Sequence, residues 1–127
     1  MGLMSPAAPI LVLTRRAEPS VLAGLLGRPF PDMIKFVVDV ERRRIAVGGE
    51  LHADAEAMLI EDGSRQNALW GGNYFPGVGE GECIEYTSLI NIRPSAGNPS
   101  MTVVSADVRS RRREIVFELV GRGESLP

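Results

Sequence analysis

Apolar positions recur with two different periods along this chain. Ile10 to Thr14 (ILVLT) is a short unbroken run between Pro9 and Arg15, the length of a buried strand rather than of a helix. From Ile34 to Glu41 the pattern alternates. Phe36, Val38 and Val40 face one way, and Lys35, Asp39 and Glu41 face the other beside Val37. Arg42 and Arg43 then provide a tight reversal, and Arg44 to Val47 returns as the second arm of a hairpin that Gly48-Gly49 ends. Leu69-Trp70 and Asn73-Tyr74-Phe75 read as one strand interrupted by glycine. The longest alternation, Cys83 to Arg93, predicts a long strand. It would turn Ile84, Tyr86, Ser88, Ile90 and Ile92 to the core, and Glu85, Thr87, Asn91 and Arg93 away from it with Leu89.

Three segments carry the helical period. Glu18-Pro19-Ser20 opens the first, since proline suits the first helical position, and Val21, Leu22, Leu25 and Leu26 form its stripe up to Gly27. The second spans about Ala53 to Asp62, with Ala55, Met58 and Leu59 continuing from Leu51 and Gly63 as its stop. The last begins near Ser105 or Asp107, buries Val108, Ile115, Val116 and Leu119, and leaves Phe117 on its opposite side. Pro76 to Glu82 is a glycine-rich connection, and without a following Gly-Lys-Ser/Thr it is no phosphate-gripping nucleotide loop. The order β-α-β-β-α-β-β-α predicts an α+β fold: a mixed, mainly antiparallel sheet with three helices packed largely on one face. The other face must then meet solvent, a ligand or another subunit.

A length of 127 residues accommodates one domain. It is placed at 10–120, with a flexible start at 1–9 and a loose tail at 121–127. A net charge of -2 argues against wholesale nucleic-acid binding, which leaves a basic excess. Arginine supplies all the basic residues but Lys35 and gathers at Arg42-Arg43-Arg44 and at Arg109 with Arg111-Arg112-Arg113. Acids near each cluster point to a balanced solvated surface, against anion or RNA-backbone binding as the alternative. No aromatic residue interleaves with either cluster to offer a stacking platform. The single Cys83 excludes an internal disulfide and reads as a small buried hydrophobe. No basic leader and no run long enough to span a bilayer is seen, so a cytoplasmic protein without membrane attachment is expected.

The richest candidate chemistry lies at Gly48-Gly49-Glu50-Leu51-His52-Ala53-Asp54-Ala55-Glu56. An extended backbone there puts Glu50, His52 and Asp54 on one side. An earlier helix start makes His52 and Glu56 neighbours four residues apart. Either arrangement suits a histidine base oriented by a carboxylate, or ligands for a divalent metal. Asp54 and Glu56 equally suit the first turn of a helix, where unpaired N–H groups favour negative charge. Asn91 and Arg93 project from a strand end into a loop with Ser95 and Asn98, the chemistry of a clamp for a polar or anionic ligand. A cross-strand pair with Glu85 and local Asx and Ser turns would explain the same residues. Trp70 and Tyr74 share a strand face, as a stacking wall or as core.

The stretch from Met33 to Glu41, GGELHADAE (48–56), LIEDGS (59–64), NALWGGNYFP (67–76) and IEYTSLINIRPSAGN (84–98) resembles a small bacterial family of uncharacterised, stand-alone proteins. The resemblance implies a single cytoplasmic unit and no particular activity. It also implies a basic residue after Asn98, where this chain has Pro99, so that Arg93 would act more alone. Three readings remain. One is a small-ligand-binding or protein-interaction module, with its site between the start of the second helix and the Asn91/Arg93 loop. The second is a small hydrolase or metal-assisted nuclease using His52 with Asp54 or Glu56. The third is a structural subunit that forms a homodimer through an uncovered sheet face containing Val37 and Leu89, with Phe117 adding apolar surface. Cofactor identity is left open by the sequence.

Overall fold

The predicted hairpin forms the centre of the sheet. In this computed structural model, which describes residues 8–127, strand β2 (Ile34–Asp39) pairs antiparallel with β3 (Arg44–Gly48), setting Phe36 opposite Val47 and Val38 opposite Ile45. Asp39 fixes the reversal. Its Oδ1 accepts the backbone N–H groups of Glu41 and Arg42 at 2.9 and 2.8 Å, and Arg43 takes the left-handed φ of 52° that closes the turn. Strand β1 (Ile10–Leu13) adds to β3, β4 (Leu69–Tyr74) adds to β2, and β5 (Ile84–Glu85) adds to β4. The result is a five-stranded antiparallel sheet of order β1-β3-β2-β4-β5. Helices α1 (Pro19–Ala23), α2 (His52–Glu61) and α3 (Ala106–Leu119) complete the predicted element order of the α+β fold.

The helices divide between the faces. Phe36, Val38, Ile45 and Val47 pack with Leu22 and Leu25 from the α1 region and with Ile115, Val116 and Leu119 of α3. Val37, Ala46 and Leu69, on the opposite face, pack with Ala55 and Leu59 of α2. Two helices therefore share one face, and the face expected to lie open is covered along part of its length by α2. Val37, expected on that open face, is fully buried, and Phe117 is half-buried with the Arg122 guanidinium 4.9 Å from its ring.

Caps follow local chemistry. Ser105 Oγ accepts the Val108 N–H at 3.2 Å and starts α3. Residues after α3 turn back on the glycine-rich connection, where a loose tail was expected: the Gly123 N–H donates to the Tyr74 hydroxyl at 2.9 Å, and Gly77 N–H donates to Gly123 O at 3.0 Å.

The largest departure from expectation is Cys83–Arg93. Only Ile84–Glu85 is a strand, followed by isolated bridges at Thr87–Thr102 and Arg93–Asn98 and by 3-10 turns at Leu89–Asn91 and Pro94–Ala96. Leu89 and Ile92 are exposed while Asn91 and Arg93 are buried. One local bond and a long-range pair end the strand. Ser88 Oγ accepts the Ile90 N–H at 3.3 Å, and the Asn91 amide pairs with Gly71 from both ends: Oδ1 accepts the Gly71 N–H at 2.8 Å and Nδ2 donates to Gly71 O at 3.0 Å. A side chain thus replaces a neighbouring strand on that part of β4. Gly71 and Gly72 permit the approach, since a Cβ at Gly71 would lie 2.8 Å from Ser88 and one at Gly72 2.6 Å from both Glu85 O and Phe36.

Candidate functional site

Alternation along β2 and β4 carries Lys35 and Asn73 to the α2 face, beyond the end of the helix that covers Val37 and Leu69. Register places Lys35 beside Asn73, and Asn73 beside Glu85. These three make a polar row across three strands. Asn73 Nδ2 donates to Glu85 Oε1 at 2.6 Å, while Asn73 Oδ1 is buried without a partner. The first turn of α2 ends against this row, and the 84–102 segment forms the other wall. The groove between them has a volume of about 470 Å³ and is lined by Lys35, His52, Asn73 and Glu85 with Glu50, Leu51, Ser88, Leu89, Ile90 and Met101 among others.

His52 is the first residue of α2 and is buried. Its Nε2 lies 2.7 Å from Gly72 O, and a carbonyl only accepts, so Nε2 bears the proton and Nδ1 the lone pair of the neutral ring. Burial lowers its pKa from the ordinary value. The Gly72 carbonyl and the Asn73 side chain oppose that shift, and the charges of Lys35 and Arg112 reinforce it. Burial also lowers Lys35, against the pull of Glu85. No side chain caps α2 at Leu51, and Leu51, His52 and Ala53 line the groove, so the helix begins at the groove with its first N–H groups lacking a side-chain acceptor.

The remaining sequence candidates are distributed differently. Asp54 lines a separate shallow concavity with Val12, Met58, Glu61 and Asp62. Glu56 bonds Arg93 instead of His52: Arg93 Nη2 donates to Glu56 Oε2 at 3.0 Å in a largely buried pair, and its guanidinium stacks 4.9 Å from the Trp70 ring. Burial lowers the Arg93 pKa and Glu56 raises it. The start of α2 and the 91–98 loop therefore meet through Glu56 and Arg93, one turn along the helix from His52 and outside the groove lining. His52 has no carboxylate among its hydrogen-bond partners, and among the described residues no group of three acids, histidines or cysteines is placed to hold a metal ion.

Asn91 and Asn98 hold the loop itself. Asn98 Nδ2 donates to Asn91 O, Ser100 O and Thr102 O at 2.7, 2.9 and 3.2 Å, and its Oδ1 accepts the Val104 N–H at 2.9 Å. Ser95 is exposed on the loop. Glu50 lines the groove mouth. Lys35, Asn73 and Glu85 are site residues that the sequence motifs do not mark, although the alternation that puts Lys35 and Glu85 on polar strand faces is a usable signal.

A family model described as "Protein of unknown function (DUF5674)" matches residues 11–119, from the second residue of β1 to the last of α3. The chain belongs to this family. No curated protein and no solved structure matches it. The DUF5674 match takes in every residue of the groove, so the polar row and the His52 turn lie within the family's own extent. Among the described residues no helix is long and apolar enough to cross a membrane.

Proposed function

We propose that this protein is a small-molecule-binding module whose ligand seats in the His52 groove, with an apolar body and a hydrogen-bond-accepting head of the carboxylate class. The observation that carries this reading is the groove's polarity: a Lys35–Asn73–Glu85 floor set into a wall of Leu51, Leu89, Ile90 and Met101. Small-ligand sites have this composition, mostly apolar with a few convergent polar groups that set orientation. Glu85 is engaged by Asn73. The Lys35 ammonium and the uncapped first turn of α2 are donors, and they call for an acceptor. His52, neutral and tied to Gly72, holds that turn in place rather than supplying charge.

Short aliphatic and aryl carboxylates, each paired with its primary amide, test this by amide-resolved NMR titration. The carboxylates are expected to shift the backbone signals of residues 51–53, Asn73 and 87–90 saturably, and Lys35→Met to weaken them about tenfold or more, the scale of a charge-assisted hydrogen bond. Equal binding of amide and carboxylate, or an unaffected Lys35→Met variant, would overturn the assignment. A second reading has its own observation. Leu89 and Leu51 at the groove mouth are 71% and 59% exposed, apolar surface that a protein partner or a second copy of this chain would cover. Light scattering across a concentration series separates that homodimer reading from the ligand reading.

A further inference from the structure

The arginines of α3 take no part in the groove, and their surroundings are unusual for a surface cluster. Arg111 is paired with Asp107 at 3.2 Å. Among the described residues no carboxylate lies within ion-pair distance of Arg109, Arg112 or Arg113. Arg109 and Arg113 stand four apart on one helix face, a spacing at which like charges repel. Arg112 is wholly buried. It donates through Nη1 to Gly71 O, but its Nε and Nη2 have no partner. Burial pulls its pKa down to about 9, with Arg109 adding to the shift. A buried guanidinium normally has a carboxylate to offset its desolvation. Here the fold supplies none.

It supplies an aromatic ring instead. Tyr86, just beyond β5, lies 5.0 Å from the Arg109 guanidinium and 4.4 Å from that of Arg112. Its backbone is held by the Val103 N–H, which donates to Tyr86 O at 3.3 Å. The stacking platform that the sequence does not show beside the arginines thus arrives from a segment more than twenty residues away. Both guanidiniums gain orientation from the ring, which reduces the rotamer freedom an arginine loses when it grips an anion. Tyr86, Ala106, Arg109, Ser110 and Arg113 line a concavity of about 280 Å³ that shares no residue with the groove.

We propose that this concavity is an oxyanion site for a phosphate group, gripped by Arg109 and Arg113, with the Ser110 hydroxyl as a further donor and Tyr86 orienting Arg109. Bound phosphate relieves the repulsion between Arg109 and Arg113 and offsets the positive charge that Arg109 presents to the buried Arg112. The size suits a single phosphate or the head of a phosphate monoester. Tyr86, already engaged by two guanidiniums, is the one aromatic ring lining the concavity, and single-stranded RNA or DNA, which stacks successive bases on several rings, is disfavoured as the occupant.

The test is an amide-resolved NMR titration of the full chain with inorganic phosphate and, separately, with glycerol 3-phosphate, ionic strength being held constant with chloride. Saturable shifts confined to residues 86 and 106–113 are expected with at least one of them, and the stronger binder tells free phosphate from a monoester. The Arg109→Ala/Arg113→Ala double variant keeps good helix formers at exposed positions and is expected to lose about tenfold or more in affinity. Tyr86→Leu is expected to weaken binding by a smaller factor. Chloride shifting the same signals equally, the double variant binding as the parent does, or a single-stranded oligonucleotide binding where neither phosphate does, would each overturn the proposal. The carboxylate series at the groove reports independently, because Arg109 and Arg113 do not line it.

Discussion

The two faces of the sheet are built to different standards. The face under α1 and α3 buries large side chains, among them Phe36, Ile34, Ile45 and Tyr74, against a fourteen-residue helix and the residues that follow it. The other face uses Val37, Ala46 and Leu69 of the sheet against Ala55 and Leu59 of the ten-residue α2. Small residues let α2 sit close, but a helix of that length spans only about 15 Å and leaves the Lys35–Asn73–Glu85 end of the sheet uncovered. The groove occurs where packing runs out. A sheet sealed on one side supplies rigidity, and the partly covered side supplies a cavity with a fixed polar floor.

The largest effect that sharpens this contrast comes from paired core truncations. Ile115→Ala on the sealed face removes packing from a region with no room to collapse, so its destabilisation is expected near the upper end of the ~2–5 kcal/mol range for such changes. Leu59→Ala truncates a side chain of α2 in the smaller cluster, where a short helix over small residues can settle toward the sheet, and is expected nearer the lower end of that ~2–5 kcal/mol range. Urea unfolding of both variants measures the difference. If Leu59→Ala proves the costlier, the two faces are equally well packed and the contrast fails.

Much of this architecture was legible because it rests on local signals. The β2–β3 hairpin follows from its alternation and turn residues, α3 from its Ser105 cap, and the glycine-interrupted strand is the continuous β4. The Cys83–Arg93 stretch misled because its alternation is real but finds no strand to pair with beyond Glu85. Gly71, opposite that stretch, is occupied by the Asn91 amide, and nothing near Asn91 in sequence announces a partner twenty residues upstream. Chain proximity pairs His52 with Asp54 and Glu56, whereas its partner is Gly72 O. Arg112 and Tyr86 repeat the pattern. Polar residues whose roles depend on distant backbone are the part that periodicity does not encode.

Asn91 therefore gives the next test, at the seam between the two faces. Asn91→Ala leaves the Gly71 N–H without its acceptor and removes one of two side-chain donors to Gly71 O, the other being Arg112. A loss of about 1–3 kcal/mol is expected, the cost of an unsatisfied buried group. Hydrogen exchange at the Gly71 amide should accelerate along with it. Retained protection of that amide in the variant would mean the edge is held by something other than the Asn91 side chain.

The smallest expected effect is the pH response of the open face. Burial, the Lys35 and Arg112 charges and the positive end of α2 all disfavour a charged His52, while the Gly72 carbonyl and the Asn73 side chain favour it, and the net displacement is downward. Below the ordinary histidine pKa of about 6.5 the unfolded chain then binds a proton that the folded chain resists. Stability should fall as pH drops through that value, then level off once the folded ring is protonated as well. His52→Gln keeps a side-chain N–H donor within reach of Gly72 O and has no group to titrate there. The difference between the two stability profiles isolates the ring from the carboxylates, most of which finish titrating at lower pH. A difference that is flat through this window, or that shows the parent gaining stability as pH falls, would mean that solvent reaches the ring freely, and the first turn of α2 would no longer be the fixed wall that the groove requires.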